Sequence, residues 1–151
     1  MDKLQTKRIL VVDDEECIAE TLVLILQSFG YNATARNSAR SALEECELQP
    51  PDLVISDVIM PEMNGIELAI EIERQYADSR ILLISGLGSS FALLDEAAQK
   101  GHRFEIMPKP IRPNDLLAKI KRVLAGDVIT RSPKACVSPG VVQAPESRSD
   151  I

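Results

Sequence analysis

Four short aliphatic runs punctuate the chain, and each ends in a side chain able to do chemistry. Ile9-Leu10-Val11-Val12 runs into Asp13-Asp14, and Leu53-Val54-Ile55-Ser56 runs into Asp57. Ile81-Leu82-Leu83-Ile84 runs into Ser85, and Phe104-Glu105-Ile106-Met107-Pro108 runs into Lys109. Runs this short and this apolar read as strands buried on both faces. Helix-periodic segments separate them. From Glu15 to Phe29, the residues Ile18, Leu22, Ile25 and Phe29 share one helical face, and Gly30 follows where a helix end favours glycine.

The same alternation continues to Ala125. Arg8–Val12, Asn32–Arg36, Leu53–Ser56, Arg80–Ile84 and Arg103–Met107 are expected as strands. Ser38–Leu48, Gly65–Tyr76, Ser90–Lys100 and Pro113–Ala125 are expected as further helices, the second helix of the chain turning Ala39, Ala42, Leu43 and Cys46 inward. Five strands alternating with five helices predict an α/β fold, a doubly wound parallel five-stranded sheet with helices on both faces. In such sheets ligands bind beyond the carboxyl ends of the strands, where the strand order reverses. A flavodoxin-like (βα)5 order, 2-1-3-4-5, sets strands 1, 3, 4 and 5 side by side. Asp13, Asp14, Asp57, Ser85 and Lys109 then share one rim.

Composition narrows the class. Apolar residues are 45% of the chain and aromatics 3%, so the core is aliphatic. The longest apolar stretch, Leu22–Leu26, falls far short of the roughly 20 residues of a membrane span. The start of the chain lacks the apolar core of a signal peptide, so a cytoplasmic location is expected. Cys17, Cys46 and Cys136 have neither the parity nor the spacing of a disulfide or zinc framework and read as unremarkable thiols. Residues 1–89 carry 7 basic and 16 acidic residues, whereas 90–124 carry 7 and 4. The acidic part suits a cation rather than a nucleic acid, and no direct nucleic-acid binding is expected. Lone His102 is expected at the surface. Residues 1–125 are expected as one domain. Residues 126–151, with Pro133, Pro139, Pro145 and four serines but no helical or strand period, are expected to be a disordered tail without an output module.

Carboxylates crowded on one rim repel: two charges about 4 Å apart cost roughly 4 kcal/mol at an effective dielectric of 20. A hard divalent cation offsets that cost, and all-oxygen donors without His or Cys point to Mg²⁺ over zinc. An acidic site with a divalent cation, a lysine and a hydroxyl suits phosphoryl transfer. A carboxylate can itself be the nucleophile and form an acyl phosphate, and Asp57 is the best placed. Taken alone, Asp13-Asp14 is equally a helix N-cap, and Asp57 equally a turn residue.

The chain also resembles a known family, the receiver domains of two-component response regulators, of the single-domain type. The resemblance covers residues 7–125. It rests on Ile9-Leu10-Val11-Val12-Asp13-Asp14-Glu15, on Asp52–Asp57 with Met60-Pro61 and Asn64-Gly65, on Ser85-Gly86 and on Lys109-Pro110. It implies that Asp57 is the phosphoacceptor. Asp14 would hold Mg²⁺ directly, Asp13 through water, and Asp57 and the backbone carbonyl of Ile59 would complete the metal site. Ser85 and Lys109 would bind the phosphoryl group. The donor would be a histidine kinase, a phosphotransfer protein or a small acyl phosphate. Output would be protein–protein contact through the face of helix 4, strand 5 and helix 5, with no enzymatic turnover beyond the domain's own phosphorylation and dephosphorylation. Ile106 stands where the family usually has Tyr or Phe, and Phe104 lies on the same side of that strand. Ile59 and Leu87, apolar at positions that influence dephosphorylation in the family, imply slow loss of phosphate. Two other readings remain: a receiver-like module that works without phosphorylation, and a metal-dependent aspartyl phosphatase. Phosphatases of the haloacid dehalogenase type carry Asp-x-Asp where this chain has Asp13-Asp14.

Overall fold

Five strands and five helices alternate in a computed structural model that describes residues 6–86 and 89–126. They are β1 (Arg8–Val12), α1 (Glu16–Ser28), β2 (Asn32–Arg36), α2 (Ala39–Leu48), β3 (Leu53–Asp57), α3 (Gly65–Gln75), β4 (Arg80–Ser85), α4 (Ser89–Gln99), β5 (Glu105–Pro108) and α5 (Pro113–Ala125). The strands form one parallel sheet in the order β2-β1-β3-β4-β5. The fold expected from the aliphatic runs is therefore the fold observed. Apart from Gly126, the expected tail lies outside the described residues, as do Leu87 and Cys136.

Strand periodicity divides the core in two. Ile9, Val11, Leu53, Ile55, Leu82, Ile84 and Met107 face α1 and α5. Leu10, Val12, Val54, Ile81 and Leu83 face α2, α3 and α4. Successive residues point to opposite sides of a strand, so an uninterrupted aliphatic run is what a sheet covered on both faces needs. Pro108 is tolerated because β5 is an edge strand. Among the described residues, no helix is long and apolar enough to cross a membrane.

Three expectations need correction. First, α1 buries Ala19, Leu22 and Leu26, not the Ile18–Leu22–Ile25–Phe29 stripe. Small Ala19 lets the helix lie close on the sheet, and the rotation leaves Ile18 and Ile25 half-buried at the edge, beside Pro110 and Ile111. Second, β5 starts at Glu105 rather than Arg103 and extends to Pro108. Third, His102 is not a bare surface residue. It is half-buried, stacked on Phe104 at a centroid distance of 6.4 Å, with Nδ1 3.4 Å from Glu73 Oε1. Phe104 is buried and Ile106 half-buried against the same core, so Phe104 is the deeper of the two.

Candidate functional site

Sheet register carries the polar residues to one place. Val12 pairs with Ser56, so the next step along β1 and β3 sets Asp13 beside Asp57. Asp57 pairs with Ile84, which puts Ser85 one residue further along β4. Ser85 pairs with Pro108, and the Lys109 N–H donates to the Ser85 carbonyl at 2.9 Å. All the side chains expected at the site therefore lie on one rim. Asp13, Asp57 and Ser85 are buried, and Asp14 is exposed at the mouth.

One carboxylate oxygen from each of Asp13, Asp14 and Asp57 lies within 4.8 Å of the other two. Lys109 Nζ is 3.3 Å from Asp57 Oδ2 and supplies the opposing charge. One ammonium facing three carboxylates leaves a net negative pocket. Asp13 shows the strain. Its Oδ1 accepts from the Glu15 N–H at 2.9 Å, a local turn just ahead of α1, whose N-cap is Glu15, but its buried Oδ2 has no hydrogen-bond partner. Burial pushes the Asp13 carboxyl above its ordinary range; the Glu15 N–H opposes the rise, Asp57 and Asp14 add to it, and Lys109 offsets part. The turn bond thus occupies one oxygen of Asp13 and leaves the other unsatisfied. An orphaned oxygen among clustered carboxylates fits a hard divalent cation.

The segment after Asp57 is held on a tight backbone path. Glu62 adopts a positive φ of 65°. The Gly65 N–H donates to the Val58 carbonyl at 2.8 Å, and Asn64 and Glu67 form a reciprocal capping box that starts α3. Gly65 lies against the backbone carbonyl of Asp57: a Cβ there would be 2.0 Å from that oxygen. Ile59 is exposed two residues past Asp57. The Lys109–Pro110 peptide is cis. Sequence reasoning missed an apolar groove beside the rim, about 830 Å³, formed by Cys17, Ile18, Thr21 and Ile25 of α1 with Pro110 and Ile111. Its sequence trace is the pair of isoleucines, Ile18 and Ile25, that α1 leaves half-buried at the edge of the core. Of the described thiols, Cys46 is buried, where burial with the Glu45 charge pushes it up to about 11, and Cys17 is exposed at this groove.

A doubly wound sheet whose carboxyl-end rim gathers three aspartates and a lysine defines a class of α/β domain with an acidic, cation-suited rim. Comparison with known proteins gives the family. Residues 9–121 match the model of the response regulator receiver domain. The chain belongs to that family. It is 32% identical over 118 residues to the response regulator receiver protein CpdR of Brucella abortus (strain 2308), covering 78% of this chain and 97% of CpdR. It is 31% identical to the chemotaxis protein CheY of Thermotoga maritima over 118 residues, with the same coverage of 78% and 97%. It is 32% identical over 121 residues to the alkaline phosphatase synthesis transcriptional regulatory protein PhoP of Bacillus subtilis (strain 168), where 78% of this chain spans 48% of PhoP, about half its length. Among solved structures, it is similar to a CheY-like receiver domain protein from Methanospirillum hungatei JF-1, with a TM-score of 0.74, 29% identity, and coverage of 81% of this chain and 96% of that one.

Proposed function

We propose that this domain accepts a phosphoryl group on Asp57 and signals by contact with other proteins. The observation that carries the reading is the convergence at Asp57: Lys109 Nζ lies 3.3 Å from its Oδ2, and the oxygens of Asp13 and Asp14 crowd it from the β1 side. Asp57 attacks the phosphorus of a phosphohistidine or a small acyl phosphate. The P–N or P–O bond breaks and the leaving group departs with the electron pair, an imidazole nitrogen then taking up a proton. Lys109 holds a phosphoryl oxygen, and Ser85 donates a hydrogen bond to another. Asp14, Asp57 and the Ile59 carbonyl, with Asp13 through water, would hold Mg²⁺, which would supply positive charge to offset that of the transferring oxygens. The new group adds about −1.5 to −2 charges beside Ser85 and Lys109, by analogy with phosphorylated hydroxyls. Drawing Ser85 inward shifts population towards a conformation recognised at α4, β5 and α5.

Intact mass after incubation with acetyl phosphate and Mg²⁺ tests this reading. Wild type gains the mass of one phosphoryl group and Asp57→Ala gains none. Equal labelling of the two would sink the proposal.

The donor is a histidine kinase or a phosphotransfer protein. A macromolecular donor must seat its phosphohistidine over Asp57, and the apolar groove at Ile18 and Pro110 adjoins that position. Ile18→Glu is expected to slow transfer from a phosphorylated histidine phosphotransfer domain about tenfold or more, because it places a charge in an apolar contact. Labelling by acetyl phosphate stays at the wild-type rate, since so small a donor needs no groove. Parallel loss of both activities would rule out a docking role.

A further inference from the structure

We propose that a second groove, between α2 and α3, docks a basic amphipathic helix of a partner protein. This groove encloses about 870 Å³ on the sheet face away from α1 and α5. Its floor is apolar: Leu43, Met63 and Tyr76 are half-buried against the core beneath. Its walls are acidic. Glu44 and Glu47 rise from α2, and Glu67 and Glu71, one turn apart, rise from α3.

The two walls differ in what already satisfies them. Glu67 closes the α3 capping box, and Glu71 is paired with Arg74 and Gln75 of its own helix. Glu44 and Glu47, together with Glu62 at the end of the groove, have no cationic partner among the described residues, although Arg40 lines the same space. The Tyr76 hydroxyl senses this field: burial raises its pKa first, and Cys46, Glu47 and Glu71 raise it further. An apolar floor bordered by unpaired carboxylates along its α2 wall and at its end matches a segment with apolar residues at helical spacing and Lys or Arg along a flank. The walls are helices with satisfied backbones, so the groove offers no strand edge and favours a helix over an extended peptide. A second copy of this chain fits less well. Its exposed basic residues either lie on α5, whose apolar face is already packed on the sheet, as Lys121 and Arg122 do, or stand singly on this side, as Arg40 and Arg74 do, and Arg74 is already paired with Glu71.

The groove also reaches the first rim. Pro61 and Glu62 belong to both the groove and the segment that joins Asp57 to α3. Binding there does not require that Asp57 accept phosphate, so the two proposals fail separately.

Titration of the full chain with a synthetic amphipathic Leu/Lys helix, followed by amide chemical shifts and fluorescence anisotropy, tests the site. Saturable binding is expected, with shifts confined to residues 39–48 and 61–76. The combined substitution Glu44→Gln, Glu47→Gln, Glu62→Gln should weaken it about tenfold, as three rim ion pairs predict, without lowering the melting temperature. Equal binding by the triple variant or by a scrambled, non-amphipathic Leu/Lys peptide would overturn the proposal. So would shifts centred on α4 or α5. Concentration-dependent shifts in the groove without peptide, relieved by the triple variant, would identify a second copy as the occupant and overturn it equally.

Discussion

Replacing Gly65 with alanine is expected to destabilise the domain by about 3 kcal/mol or more and to abolish labelling at Asp57. The reason is contact rather than backbone freedom. A Cβ at this position would lie 2.0 Å from the Asp57 carbonyl oxygen, 2.9 Å from its carbon and 3.0 Å from the Val58 Cα. All three neighbours are backbone atoms of β3 and its exit, and β3 is pinned between β1 and β4. Neither side can yield by rotating a side chain. Alanine gains about 1 kcal/mol over glycine in helix propensity, which is smaller than the clash. Relief comes only from moving the start of α3, which breaks the 2.8 Å hydrogen bond from the Gly65 N–H to Val58 and shifts the segment beside Asp57. Gly86→Ala is the control, because nothing lies within 4 Å of a Cβ there. Urea unfolding and acetyl phosphate labelling should separate the two. A Gly65→Ala protein with a wild-type midpoint would show that α3 shifts at little cost.

Local rules made the sheet legible. A run such as Ile9–Val12, apolar at every position, has a physical use only where both faces are covered, and that requirement gave β1, β3 and β4 within a residue of their observed ends. The site was legible for the same reason, since in a parallel sheet every strand delivers its last residue to the same rim. The orientation of α1 was not. Ile18–Leu22–Ile25 and Ala19–Leu22–Leu26 are overlapping stripes, and the choice depends on how closely the helix approaches the sheet and on Pro110 and Ile111, far along the chain. Nor was the setting of His102, which is made by Glu73, 29 residues away, and by a ring stack that has no period. Asn64-Gly65 stood out as a motif, but the contact of Gly65 with the Asp57 carbonyl is a tertiary fact. Periodicity reports which face of an element is apolar. It does not report distances between elements.

Asp13→Asn and Mg²⁺ are expected to act in opposite directions on stability, with the order of the two proteins reversing when the metal is added. Asparagine keeps an Oδ1 for the Glu15 N–H and removes the charge that the unpartnered Oδ2 cannot stabilise. The folded Asp13 pKa is raised, so its stabilising contribution is complete below its unfolded value near 3.8 and is lost as pH rises through the folded value. Wild type and variant should therefore coincide at pH values below about 3.8 and diverge above, with the variant the more stable at pH 7 without metal. The gap should be on the order of 1 kcal/mol. That is below the roughly 4 kcal/mol of a bare pair at 4 Å, because Lys109 faces the cluster and Asp14 is open to water. Mg²⁺ at about a hundredfold excess over its dissociation constant should then stabilise wild type by about 2.7 kcal/mol. The variant, having lost one anionic donor, should gain much less, so wild type becomes the more stable. Equal metal-induced shifts in the two melting curves would remove Asp13 from the cation site. A variant no more stable than wild type at pH 7 without metal would show that the orphaned oxygen costs the fold little.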